Sequence, residues 1–221
     1  MARLDTDALI DRLAGDAVPV RRVDPVWKRV ALWLCLGVPP LLVIVLFHGL
    51  AIDMPTLMGD RRLLVEQAAA LATAVAAAAA AFASTVPGTS RRWLWLPAVP
   101  LAVWLLALGK GCLDDWLQFG PHGLALRPDF ECVGPMLLMA VVPTGAMLAM
   151  LRQGAPLAPR ATLFLGALAT AAVVAFGLRF FHVGDASIMV LTWHMGLAAV
   201  LSLAAGLAGP RVLGWPEAVP R

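Results

Sequence analysis

The sequence predicts an all-α, polytopic membrane protein of six transmembrane helices with both termini in the cytosol. Three observations carry this. The 221 residues are 61% hydrophobic with a mean hydropathy of +0.83, whereas soluble domains are only about half apolar. The bilayer must act as solvent for the excess. Six charge-poor runs, each about twenty residues long, fall at 30–50, 63–84, 93–109, 134–151, 161–181 and 187–208. Finally, an N-in arrangement places twelve of the 17 Lys and Arg residues inside and five outside, the asymmetry that membrane topology follows.

The chain divides into a cytosolic arm at 1–29, a membrane domain at 30–210 and a cytosolic tail at 211–221. Nothing in the arm reads as a cleaved signal peptide, because the first apolar run starts near Val30 without a small-x-small cleavage site. Thr6 is placed to cap a helix starting at Asp7, whose acidic first turn suits the helix dipole. Leu9, Ile10 and Leu13 would share one face, and Gly15 would end the helix. Such a helix is too short to be stable alone. Pro19 and Pro25 keep the following linker extended. Two readings stay open. In one, the arm is a frayed tail whose Arg21, Arg22, Lys28 and Arg29 only enforce topology. In the other, it folds against a cytosolic partner in the helix-in-groove manner.

Within the membrane domain, the second span is rich in alanine, with an unbroken run from Ala76 to Ala81. Small side chains let helices approach closely, so this run predicts a packed central helix. The third span is the shortest and contains Pro97 and Pro100. The last two spans are separated by about five residues and predict a tight hairpin. Trp27, Trp33, Trp93, Trp95 and Trp215 fall near the cytosolic boundary and Trp116 near the other, as indoles favour headgroup depth.

Polar groups gather on the outer side. They include His48, Asp53 and Glu66, then Cys112, Asp114, Asp115, His122, Asp129, Glu131 and Cys132 in a loop predicted at 110–133, and finally His182, Asp185 and His194. An ionisable group within a span is expensive and points to function. Glu66 and His194 approach one face and could line a common water-accessible cavity. For Glu66 the plainer reading is snorkelling to the interface. Cys112 and Cys132 would share an oxidising compartment. A disulfide closing a loop of this size stabilises by about 3 kcal/mol on the chain-entropy account; the alternative is a redox switch. Their surroundings match no zinc spacing, so no metal and no cofactor is expected. Cys35 reads as an inert thiol of the first span. No Walker loop, nucleophile elbow, HExxH or dinucleotide fingerprint is present, and the chain reads as a non-enzyme.

Across nearly its full length the chain resembles the NrsF family of bacterial inner-membrane anti-sigma factors. The likeness is carried by L-I-D-R-L-A-G-D-A-V-P-V-R-R-V from Leu9, then Pro25, Trp27 and Arg29. It continues through Cys132 before span four, L-R-Q-G-A-P-L-A-P from Leu151, H-V-G-D-A-S from His182, Trp193, and the closing G-L-A-G-P-R-V-L-G-W. The chain departs from the pattern at Val183, where family members commonly carry cysteine after the histidine. Only Cys132 therefore matches a family cysteine.

The resemblance implies an inner-membrane protein that sequesters an extracytoplasmic-function sigma factor and releases it on envelope, redox or metal stress. The net charge of +3 is too small to suggest nucleic-acid binding, and no direct contact with nucleic acid is expected. The sigma factor would meet Leu9, Ile10, Leu13, Arg21 and Arg22, and sensing would fall to Cys112, Cys132, His182, Asp185 and His194. The competing reading is a membrane thiol or quinone redox protein using the outer cysteines.

Overall fold

In the computed structural model, residues 6–17, 23–49, 55, 59–124, 133–180 and 187–214 are described. Among them every regular element is a helix. A short helix α1 (Thr6–Gly15) precedes six long ones: α2 (Val26–His48), α3 (Arg61–Ala83), α4 (Ala98–Phe119), α5 (Val133–Leu151), α6 (Pro159–Leu178) and α7 (Met195–Val212). A π-helical segment, Val190–His194, leads directly into α7, and a 3-10 segment, Arg91–Trp95, precedes α4. The six long helices coincide with six stretches long and apolar enough to cross a membrane, so the predicted membrane protein stands.

Local chemistry starts these helices where they start. Asp60 caps α3 by accepting from the Arg62 and Leu63 amides at 2.8 and 3.2 Å. Pro159 occupies the first turn of α6, where its missing N–H costs nothing. Prolines inside α2, α5 and α7 are tolerated in a membrane bundle.

The third span differs from expectation. It was predicted to end at 109, but α4 continues to Phe119, and Cys112, Asp114 and Asp115 stand on the helix, not in a loop. Lys110 and Asp114, one turn apart, pair at 2.7 Å. This i,i+4 pair supports helix beyond the apolar run, which a hydropathy boundary cannot register.

The interior is built around α3 and α6, in which 56% of span residues are buried against 22–28% in the other four. Ala74, Ala77, Ala78, Ala80 and Ala81 of α3 are wholly inaccessible, as the alanine run predicted. Trp33 departs from its predicted boundary role. It is 1% exposed and its Nε1 donates to the Pro143 carbonyl oxygen at 2.9 Å. Trp27, Trp93, Trp95 and Trp116 are exposed, and so is Cys35.

Helices α6 and α7 approach closely through glycine. A β-carbon on Gly209 would lie 2.3 Å from the Pro159 carbonyl oxygen and 2.9 Å from Arg160 Cα. On Gly177 of α6, which faces α5 and α2, it would first meet the side-chain ends of Met139 and Leu41, at 2.7 and 2.8 Å. Backbone cannot yield as side-chain ends can. Gly209→Ala is therefore expected to cost about 1–3 kcal/mol or more, and Gly177→Ala less. Thermal unfolding of the two purified variants in detergent checks the order.

Candidate functional site: the arm, its anchor and the polar cluster

The chain alternates direction, so one end of the bundle carries the arm and the ends of α3, α5 and α7, and the far end carries the starts of those helices. Two groups of residues, one at each end, bear the chemistry.

At the arm end, α1 spans ten residues with Asp7 in its first turn and Arg12 in its last, each suited to the dipole there. None of its residues is buried. Leu9, Ile10 and Leu13 are 47%, 56% and 63% exposed, so their shared apolar face is available to another molecule. Arg21 and Arg22 lie outside the described residues.

Just past the arm, Arg29 sits one turn into α2. It was read as a topology charge, yet it is 3% exposed. Its Nη1 donates to the Phe82 carbonyl oxygen at 3.2 Å and to Thr85 Oγ1 at 2.9 Å, and its Nη2 donates to the Met150 carbonyl oxygen at 2.6 Å. The guanidinium also lies 4.5 Å over the Phe82 ring. Phe82 and Met150 belong to the last turns of α3 and α5, where carbonyls lack intrahelical donors and the dipole favours a cation. Asp24 acts on Arg29 electrostatically, but the guanidinium's hydrogen bonds go to the helix ends. The connections around it are tied together. The Ala155 amide donates to the Thr85 carbonyl oxygen at 2.9 Å, and the Ser84 and Thr162 hydroxyls lie 2.8 Å apart.

At the far end, Glu66, Gln67, Trp104, Arg179 and His194 line one cavity of about 10 Å³, room for a single water. Glu66 and His194 thus share a cavity, as their positions suggested. Snorkelling does not describe Glu66, however: it is 4% exposed. Its Oε1 lies 3.7 Å from Arg179 Nε. That distance makes an ion pair, not a hydrogen bond. The other oxygen, Oε2, is buried with no partner among the described residues. Gln67 Nε2 donates to the Phe176 carbonyl oxygen at 3.4 Å. His194 closes the π-helical segment and is 8% exposed; a π-bulge shifts side-chain register and recurs at functional sites.

Of the other predicted sensing residues, Cys112 is half-buried on α4. Cys132, His182 and Asp185 lie outside the described residues. Among the described residues no three His, Cys, Asp or Glu side chains gather as metal ligands.

Sequence reasoning did not pair Glu66, read on the outer side, with Arg179, one of the five basic residues that the N-in arrangement places outside. One acid and one base at the same depth of an apolar domain was the available signal. Arg29 gave no signal beyond its position at a span boundary.

The NrsF family model, described as negative regulator of sigma F, matches residues 13–215. The chain belongs to the NrsF family. No curated protein and no solved structure matches it. The NrsF match takes in Leu13, Arg29, Cys112, Cys132 and all six long helices, while Leu9 and Ile10 precede it. A family described as negative regulators of a sigma factor gives the chain a class of partner.

Proposed function

We propose that this protein is an anti-sigma factor of the bacterial inner membrane that holds an extracytoplasmic-function sigma factor against its cytosolic face. The arm end is the cytosolic end, supported by the bias of twelve basic residues to five. The observation that carries the reading is a ten-residue amphipathic helix with its apolar face exposed, in a chain of the NrsF family. Leu9, Ile10 and Leu13 enter a groove of the sigma factor, and Arg21 and Arg22 meet its acidic surface. The protein acts by stoichiometric binding, without turnover.

Release follows an outer event, an envelope, redox or metal stress. Cys112, Cys132, His182, Asp185 and His194 serve as the sensing groups. The event biases one of two helix packings, and that packing sets affinity for the sigma factor. A coupling of about 1–3 kcal/mol changes affinity by roughly 5–150-fold, enough for graded release.

The test is affinity purification from the native host of the full chain and of a chain lacking residues 1–20. A sigma factor is expected with the full chain and not with the truncation. Its absence from the full chain overturns the reading; equal recovery by both moves the binding site off the arm.

A further inference from the structure

We propose that Arg29 is the residue through which the membrane bundle holds the arm, with its guanidinium reporting the separation of the α3 and α5 ends. The inference rests on the sequestration reading and adds how the far end reaches the arm.

The geometry is specific. Nη1 serves the end of α3, through Phe82 and Thr85, and Nη2 serves the end of α5, through Met150. These two helices share no packed face; α2 contacts both. A single side chain of α2 therefore bridges the ends of two helices that share no packed face and otherwise meet in the turns after them, where the Ala155 amide donates to the Thr85 carbonyl oxygen. Guanidinium suits this task because its donors are fixed in one plane. Its two amino groups cannot follow two acceptors moving apart. Both contact sets fail when the ends separate by about 1–2 Å, the scale of ordinary helix shifts in switching proteins.

The same two helices lead to the far-end groups. Glu66 and Gln67 stand one turn into α3, and α5 begins at Val133, directly after Cys132 in the chain. Any far-end event that displaces the α3 end against the α5 end at the arm side reaches the guanidinium through these two helices. Losing the Met150 carbonyl leaves a buried cation without one of its three acceptors and its Nη2 without any, which is costly in a dry setting. The first turn of α2 then moves to rehydrate Arg29. Asp24 and Pro25, the residues of the arm directly before that turn, move with it.

The experiment compares the wild-type chain with Arg29→Met, Arg29→Lys, Thr85→Val and Lys28→Met in lipid nanodiscs and in host membranes. Met keeps the apolar stem and removes every donor, and Thr85→Val deletes one acceptor without touching the cation. Lys28→Met removes a neighbouring, exposed charge and so controls for topology.

Amide exchange by mass spectrometry is read first. In Arg29→Met, exchange at 26–31, 84–88 and 150–155 is expected to rise at least about tenfold, with 66–72 at the far end unchanged. Lys should restore part of the protection, Thr85→Val should lose part, and Lys28→Met should match the wild type. Sigma factor on host membranes, quantified by mass spectrometry, is expected to fall at least about fivefold in Arg29→Met and to be unchanged in Lys28→Met.

Exchange in Arg29→Met no different from Lys28→Met overturns the proposal. Exchange raised equally at both ends marks a general loss of folding, and the decision then passes to the milder Thr85→Val: the local pattern there supports the proposal and its absence overturns it. Local loosening with undiminished sigma factor overturns the coupling while leaving sequestration intact. A wild-type chain that retains no sigma factor contradicts the sequestration reading and removes the inference with it.

Discussion

Exchanging Leu9, Ile10 and Leu13 for glutamine is expected to release the sigma factor from the membrane while the bundle stays as stable as before. Glutamine keeps helix propensity close to that of leucine, so the change removes the apolar face and not the helix. Burying a side chain of this class against a partner is worth about 1.5–3 kcal/mol when fully exposed beforehand. The three are only about half exposed in the free arm, which still leaves roughly 3 kcal/mol for the set, or about a hundredfold in Kd. None of the arm residues is buried in the protein itself. Thermal stability in detergent should therefore shift by no more than about 0.5 kcal/mol. Binding of the purified sigma factor to nanodisc-embedded chain, measured by titration, gives the first quantity. Unchanged binding would place the contact elsewhere on the arm end.

The second large effect concerns the far end. Removing one member of a buried ion pair costs about 3–5 kcal/mol, because the other charge is left uncompensated. Glu66→Leu is expected to cost about 3 kcal/mol, the low end of that range, since the Glu66 and Arg179 side chains are 5% and 15% exposed and Arg179 keeps a further interaction. Joining it to Arg179→Met should recover most of the loss, as apolar replacements of buried pairs are often neutral or stabilising. Chemical unfolding of the single and double variants measures both. A single-variant cost below about 1 kcal/mol would be the behaviour of a solvated pair and would open the cluster to water.

Much of the architecture was legible because the bilayer imposes it. Apolar runs mark the helices, and the Ala76–Ala81 run announced a packed central one. Cys112 was misplaced because the end of an apolar run is not the end of a helix: Lys110 and Asp114 extend α4 past the boundary that hydropathy draws. The arm helix was legible from Thr6, Asp7 and Gly15, which act locally. What stayed hidden was pairing. Glu66 reads as snorkelling until Arg179, over a hundred residues later, is placed beside it. Trp33 reads as a headgroup anchor until Pro143 supplies a carbonyl. Arg29 reads as a topology charge until three acceptors from two other helices converge on it. A sequence states the cost of placing such a group in a membrane, but only the fold supplies the partner that offsets it.

The most direct test of the account uses membrane sidedness. Inside-out and right-side-out vesicles from cells expressing the full chain are incubated with the purified sigma factor, and bound protein is quantified after sedimentation. The account predicts saturable binding to inside-out vesicles, none to sealed right-side-out vesicles, and loss of binding from inside-out vesicles when residues 1–20 are deleted. Binding confined to right-side-out vesicles, or binding that survives the deletion undiminished, would contradict it.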